Sequence, residues 1–344
     1  MFSILRAHHN LTSSDEKLLE KYGLEANDAI LAEEKHMPIY EELLQHRNAK
    51  LIPGGAAQNT ARGAQYILPP DSVLYIGCVG KDKYAETLRE RCKKAGLRVE
   101  YLEDPKEPTG RCGVVITGHN RSMVTDLAAA NCYKIDHLKS PEIWKLVEQA
   151  QYLYVGGYHL TVCVPAIMAL AEEAAAKNKA FIMNLSAPFI PQFFKDPLDQ
   201  TAEYWDYILG NETEMLAYAE SHSLGTTDVK EIAKQVALLP KKNKARPRIV
   251  IATQGTDPTI VATADPNVPG QVEIKELPVH PISQEEICDT NGAGDAFAGG
   301  FLAGIVKGES LNRAVDMGQW LARLSIKELG PSFPEPKQVY EASS

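Results

Sequence analysis

"CDTNGAGDAFAGGFLAGIV", residues 288–306, places a charged, glycine-rich turn directly before a long apolar segment. Phe297, Phe301 and Ile305 recur every four residues, so the apolar part predicts a helix with one buried face. Gly292, Ala293, Gly294 and Asp295 then fall in its first turn. The first N–H groups of a helix lack internal partners and lie at the positive end of its dipole, which suits an anion. Glycine adopts backbone angles that other residues resist and leaves room for a ligand to approach. A carboxylate in such a place repels a bound phosphate. Asp295 makes sense there as a base for a hydroxyl that attacks the phosphate, with the helix terminus favouring its ionised form. Read alone, these residues are equally compatible with a tight turn and an ordinary acidic residue opening a helix.

The sequence on either side alternates strand and helix. "SVLYIGCVG" (72–80) is a short apolar run, and "DKYAETLRERCKKAG" (82–96) follows with Tyr84, Leu88 and Cys92 at helical spacing. "QYLYVGG" (151–157) precedes "VPAIMALAEEAAAKN" (164–178), and "AFIMNLS" (180–186), "WDYILGN" (205–211) and "RIVIATQG" (248–255) repeat the buried-strand form. This rhythm predicts an α/β fold with a mostly parallel central sheet covered by helices on both faces. "EPTGRCGVVITGHNRSMVTDLAAAN" (107–131) breaks it, reading as two alternating strands joined near "TGHNRS" in a small separate sheet.

Bulk properties exclude several function classes. The chain has 344 residues, 44% of them hydrophobic and 24% charged, and a formal net charge of −9. Its most basic run is "KKNKARPR" (241–248), read as a solvated loop, so neither nucleic acid nor an anionic membrane is an expected partner. Any anionic ligand must be held by local devices. Six scattered cysteines form no C-x-x-C pair, which suits reduced thiols in a cytoplasmic protein, with the nucleus a further location, and suits neither a disulfide scaffold nor zinc. No apolar run approaches the ~18 residues of a membrane span.

"DTNGAGDAFAGGFLAG" matches, position by position, the C-terminal signature of the ribokinase-like carbohydrate and nucleoside kinases, which the chain therefore resembles. The phosphate motifs G-x-x-x-x-G-K-[ST] and G-x-G-x-x-G of other nucleotide-binding proteins are absent. The other elements of the resemblance follow in order. "PGGAAQNTA" (53–61) resembles the family's N-terminal glycine pair, and implies that Gly54, Gly55 and Asn59 grip substrate hydroxyls. "GNETE" (210–214) resembles its magnesium and phosphate–water network, implying Asn211 for ATP and Glu214 for Mg²⁺ through water. "TQG" (Thr253, Gln254, Gly255) and Asn184 in "NLSAPF" resemble nucleotide-side positions.

Longer stretches resemble the adenosine-phosphorylating members: "EANDAILAEEKH" (25–36), "TGHNRS" (117–122), "DLAAANCYK" (126–134), "MNLSAPFI" (183–190) and "LGNETE" (209–214). The resemblance implies transfer of the ATP γ-phosphate to the 5′-hydroxyl of adenosine, giving AMP in purine salvage, with Mg²⁺ as cofactor and a monomeric enzyme. It assigns Asp295 as base, Gly292, Ala293 and Gly294 as anion hole, Asn291 beside the substrate and Arg121 as a lid cation that swings onto the phosphates. It places Tyr158, where the family commonly has phenylalanine, on the adenine ring, with Leu127 in the same pocket; ordinary core packing remains the alternative for both. A large domain over 53–106 and 132–344 and a small α/β lid over 20–52 and 107–131 are implied, with chemistry requiring closure.

The match begins only near "LEKYGL" (19–24). The family's first strand carries a G-N-P-x-x-D segment whose aspartate holds the ribose hydroxyls, and residues 1–14 contain no counterpart. Residues 1–18 are thus expected to be an atypical, truncated N-terminus that lacks the first strand. Two alternatives stay open on that account: a kinase for another nucleoside or sugar, and a non-catalytic nucleoside-binding or regulatory protein.

Overall fold

The computed structural model describes residues 2–8, 13–25, 29–46, 49–117 and 120–342, and it divides into two compact units. The first comprises Met1–Tyr133, Ile282–Ala303 and Met317–Ser344, and the second Lys134–Pro281 and Gly304–Asp316. These units group residues 53–106 with the 107–131 segment, whereas the sequence reading set a domain boundary between them.

Among the described residues the first unit holds seven strands: β1 (Phe2–His8), β2 (Ala29–Leu31), β3 (Lys50–Pro53), β4 (Leu74–Gly80), β5 (Arg98–Asp104), β6 (Thr109–Thr117) and β7 (Asn120–Ala128). Five of them form one sheet in the order β2-β7-β6-β1-β3. The alternating pattern of residues 107–131 becomes the antiparallel β6–β7 hairpin, with Val114 opposite Met123. The expectation of a missing first strand is corrected. β1 runs parallel to β6, with Leu5 opposite Val114, and antiparallel to β3, with Ile4 opposite Leu51. Its apolar run is short because the strand is made by backbone pairing on both sides, with partners far away in sequence.

Neighbouring residues of a strand face opposite sides. Val115 and Val124 accordingly pack with Leu18, Tyr22, Ile39, Tyr40 and Leu43 from two helices, while Cys112, Val114 and Ile116 pack with Ile52, Met123 and Leu329. β4 and β5 form their own parallel pair. The helix Lys83–Lys94 between them starts at Asp82, whose carboxylate accepts the Ala85 N–H at 2.9 Å. That is the strand–helix–strand unit expected from residues 72–96.

Two further helices carry the site. Helix Ala56–Ile67 passes close to helix Ala293–Val306 at Gly63 and Gly299. A Cβ on Gly299 would lie 2.7 Å from the Thr60 carbonyl oxygen, so only glycine permits this approach.

In the second unit β8 (Tyr152–Gly156), β9 (Ala180–Asn184), β10 (Tyr207–Asn211) and β11 (Arg248–Gln254) run parallel, and β12 (Asp257–Ala264) and β13 (Val272–Leu277) extend the sheet antiparallel. Every residue of Ala180–Met183 is buried, so both faces of β9 are covered. The lower ends of these strands are fixed by buried charge. Asp206 accepts the Phe181 N–H at 2.9 Å and pairs with Lys241 at 2.5 Å. The Arg248 guanidinium, 1% exposed, donates to the carbonyls of Trp205, Ala202, Pro240 and Leu239. Burial pulls its pKa down to about 10, and the surrounding carbonyls repay part of that cost. Among the described residues no helix is long and apolar enough to cross a membrane.

Replacing Arg248 with Met strands these carbonyls in the core. Unfolding in urea should show a loss of about 2–5 kcal/mol. A loss below roughly 0.5 kcal/mol, the range of ordinary surface substitutions, would refute this anchoring role.

Candidate active site

In the first unit, Pro53–Gly54–Gly55 leads from β3 into helix Ala56–Ile67. Gly55 has φ +101°, an angle open to glycine, and its carbonyl accepts the Asn59 N–H at 2.8 Å. Asn59 is thereby held on the first turns of this helix. Its amide nitrogen donates to the Asp295 carboxylate at 2.9 Å, although 236 positions separate the two. Asn59 Oδ1 is buried and has no partner among the described residues. The pair therefore presents a carboxylate and a free amide acceptor side by side.

Asp295 lies in the first turn of helix Ala293–Val306, as the apolar spacing predicts. Phe297, Phe301 and Ile305 are all buried behind it. The expected preference for ionisation is corrected. Protein atoms crowd the carboxyl on most sides, although part of its surface stays open, and this desolvation raises its pKa to about 7 against the opposing Asn59 hydrogen bond. A dipole acts on any residue in that turn, whereas burial depends on the helix packed opposite.

The anion hole is also adjusted. Ala293 N–H donates to Thr290 O at 3.2 Å and is thus already engaged, a correction to the sequence reading. Among the described hydrogen bonds, the N–H groups of Gly292, Gly294 and Asp295 have no partner. Gly292 has φ +81°, and a Cβ built on Gly294 meets nothing within 4 Å. Asn291 N–H donates to Asp289, so the Asn291 side chain stands on a fixed turn. Leu127 on β7 is buried at 8% exposure. Arg121 lies on β7 opposite Ile116, and its side chain falls outside the described ones. β1 provides a first strand, and its sequence "FSILRAH" contains no aspartate.

In the second unit the predicted residues gather at the carboxyl ends of parallel strands, where open α/β sheets bind ligands. Gly156 is opposite Asn184 across β8–β9, and Asn211 is opposite Thr253 across β10–β11. Tyr158 follows β8 and packs edge-on against Phe189, with ring centroids 5.8 Å apart. Asn184 Oδ1 accepts the Ser186 N–H at 2.8 Å. Gln254 donates to Pro258 O at 2.7 Å, and Gly255 takes φ +58°. The N-x-x-E motif closes on itself: Asn211 Oδ1 accepts the Glu214 N–H at 2.9 Å, and both Glu214 oxygens accept from Asn211 at 3.0 Å. This reciprocal cap starts helix Glu212–Ser221. A cleft of about 930 Å³ lined by residues such as Gln192, Leu216 and Glu220 contains none of the predicted site residues.

Two residues escaped the sequence reading. Asp289, fully buried, accepts the N–H groups of Asn291 and Gly330, each at 2.9 Å. Arg62, one turn beyond Asn59, donates to Pro331 O at 3.1 Å. The first opens the quoted motif, and the second stands at helical spacing from a predicted residue, so both had a weak signal in the sequence.

The sequence profile of the pfkB family carbohydrate kinases matches residues 16–338. An adenosine kinase of Schizosaccharomyces pombe is 48% identical over 324 residues, 94% of this chain and 92% of that protein. One from Saccharomyces cerevisiae is 47% identical over 328 residues, 94% of this chain and 93% of that protein. The crystal structure of Anopheles gambiae adenosine kinase in complex with P1,P4-di(adenosine-5) tetraphosphate superposes with a TM-score of 0.90, at 41% identity, over 99% of this chain and 96% of that one.

The raised pKa of Asp295 has a thermodynamic consequence. Its folded value, about 7, exceeds its unfolded value, so the fold prefers the neutral carboxyl and loses stability as pH rises from about 4 to about 7. Asp295→Asn should therefore raise stability at about pH 8 by roughly 1–3 kcal/mol, discounted for the open side, with the gain vanishing near pH 4. Thermal melts across this range check it. A variant less stable at the upper end would contradict the assigned desolvation.

Proposed function

The chain belongs to the pfkB family of carbohydrate kinases, and we propose that within it the chain transfers the γ-phosphate of ATP to the 5′-hydroxyl of adenosine, giving AMP. One observation carries this reading: the buried, unpartnered Asn59 oxygen lies beside a carboxylate with a pKa of about 7 at an open helix terminus. The orphaned oxygen calls for a donor, and a hydroxyl is one. Asp295, close to half-ionised at neutral pH, is suited to receive that hydroxyl's proton as the oxygen attacks. The amides of Gly292, Gly294 and Asp295 then offset charge on the transferring phosphoryl group. The close relatives named as adenosine kinases select adenosine as the nucleoside.

The remaining roles are assigned on the same basis. Gly54 and Gly55 let the nucleoside approach the backbone, and Asn291, Leu127 and Tyr158 border it. Asn184, Asn211 and Thr253–Gly255 serve ATP from the strand ends of the second unit. Arg121 is assigned to the lid formed by 20–52 and 107–131, as a cation for the phosphates. The large domain is 53–106 and 132–344, and the working species is a monomer; a cytoplasmic location is in keeping with the six free cysteines.

Mg²⁺ fits this chain in only one way. No group of three or more His, Cys, Asp or Glu side chains suited to a metal occurs among the described residues. Glu214 is 6% exposed and both its oxygens hold Asn211. The ion would be carried mainly by ATP phosphates and waters, with Glu214 reached through water, as its coordination habits allow. When bound, it neutralises phosphate charge.

AMP formation from adenosine and ATP tests the reading. The wild-type chain should turn over with an acid limb near pH 7, the Asp295 value, and Asp295→Asn should reduce kcat by at least about a hundredfold. Equal rates in the two would remove the base. Adenosine binding without turnover in either would favour a non-catalytic binding protein.

A further inference from the structure

The quoted hinge does not stand alone. The segment Ile326–Pro331 runs beside it and is fastened at several points. Cys288 and Asp289 N–H groups both donate to Ile326 O, at 2.8 and 3.1 Å. One Asp289 oxygen takes the Asn291 N–H within the hinge and the other takes the Gly330 N–H of this segment. The next residue, Pro331, offers its carbonyl to Arg62 at 3.1 Å. The same Arg62 nitrogen also points to Pro53 O at 3.4 Å, immediately before the Gly54–Gly55 turn. The Pro331 ring sits against Gly292, so closely that a Cβ on Gly292 would come within 2.7 Å of it.

Arg62 is placed at a cost. Burial lowers its pKa, and no carboxylate pairs with it among the described residues. Arg62 is half-buried, and a partly desolvated cation with no acid beside it among the described residues costs free energy to keep for packing alone. Its hydrogen bonds go to two carbonyls, one on each side of the site: the nucleoside turn and the segment that supports the anion loop.

We propose that Arg62 and Asp289 are positioning residues for phosphoryl transfer, clamping Gly330–Pro331 against Gly292 and so fixing the open amides relative to Asp295. Neither side chain touches reacting atoms. Asp289 sets the turn from within, through Asn291, and from outside, through Gly330. Arg62 holds Pro331 in place and registers it with the turn that leads to Asn59. A shift of the loop by about an ångström is enough to cost up to a hundredfold in rate. The inference rests on the kinase reading above.

Steady-state kinetics and hydrogen exchange of the purified full chain test it together. Pro331→Ala keeps the carbonyl that Arg62 grips and removes only the ring against Gly292. It should lower kcat about five- to tenfold and leave KM for adenosine within about twofold. Arg62→Met should cost about ten- to a hundredfold in kcat, and Arg62→Lys, which keeps a donor, should recover much of it. Asp289→Asn should behave like Arg62→Met. The amides of Ala293 and Ala296, which close the first helical turn on Thr290 and Gly292, should exchange at least about tenfold faster in Pro331→Ala and Arg62→Met. Wild-type kcat in every variant, a rise in KM at unchanged kcat, or unaltered exchange of these two amides would each overturn the clamp. Faster exchange in a chain whose wild type makes no AMP would support the clamp and count against the kinase reading alone.

Discussion

The hydrogen bond from Asn59 to Asp295 is the contact on which the site depends. It joins the start of one helix to the start of another, with 236 residues between them. It orients the Asn59 amide so that its oxygen, not its nitrogen, is left for a ligand. It also tempers a carboxyl that burial would otherwise push still further from ionisation. The contact exists because Gly63 and Gly299 let the two helix backbones approach. A side chain at Gly299 would force the helices apart and separate acid from amide.

The cost of this arrangement is borne locally. Asp295 destabilises the fold at neutral pH, Arg62 is a half-buried cation with no acid partner among the described residues, and Gly292 needs an angle that few residues adopt. Such departures from good folding practice cluster where chemistry needs them. The second unit shows the opposite economy. Arg248, Asp206 and Lys241 are buried charges too, yet each is surrounded by partners, and they fix strand ends remote in register from Asn184, Asn211 and Thr253. There, charge serves the scaffold; around Asp295 it serves the proposed reaction.

How much of this was legible in the sequence depends on the range of the interaction. The helix after Asp295 was readable because Phe297, Phe301 and Ile305 obey a local period, and the β6–β7 hairpin because its residues alternate. The parallel strands β8–β11 were readable as short apolar runs, and Gly292 as a point of backbone freedom. β1 was missed because its seven residues gain their identity from β6 and β3. The ionisation of Asp295 was misjudged because the dipole is a local term and desolvation is not. The occupied Ala293 amide depends on a turn geometry that composition leaves open, and the Asp289–Gly330 and Arg62–Pro331 contacts join segments that nothing in the sequence brings together. In the N-x-x-E motif the residues were found, but their first duty proved to be closing a helix cap.

The most direct test of the account is a titration of the Asp295 carboxyl carbon by NMR in the ligand-free protein. The account predicts a midpoint near 7, shifted upward when Asn59→Ala removes the opposing hydrogen bond. A midpoint near the ordinary aspartate value of about 4, insensitive to Asn59, would contradict it.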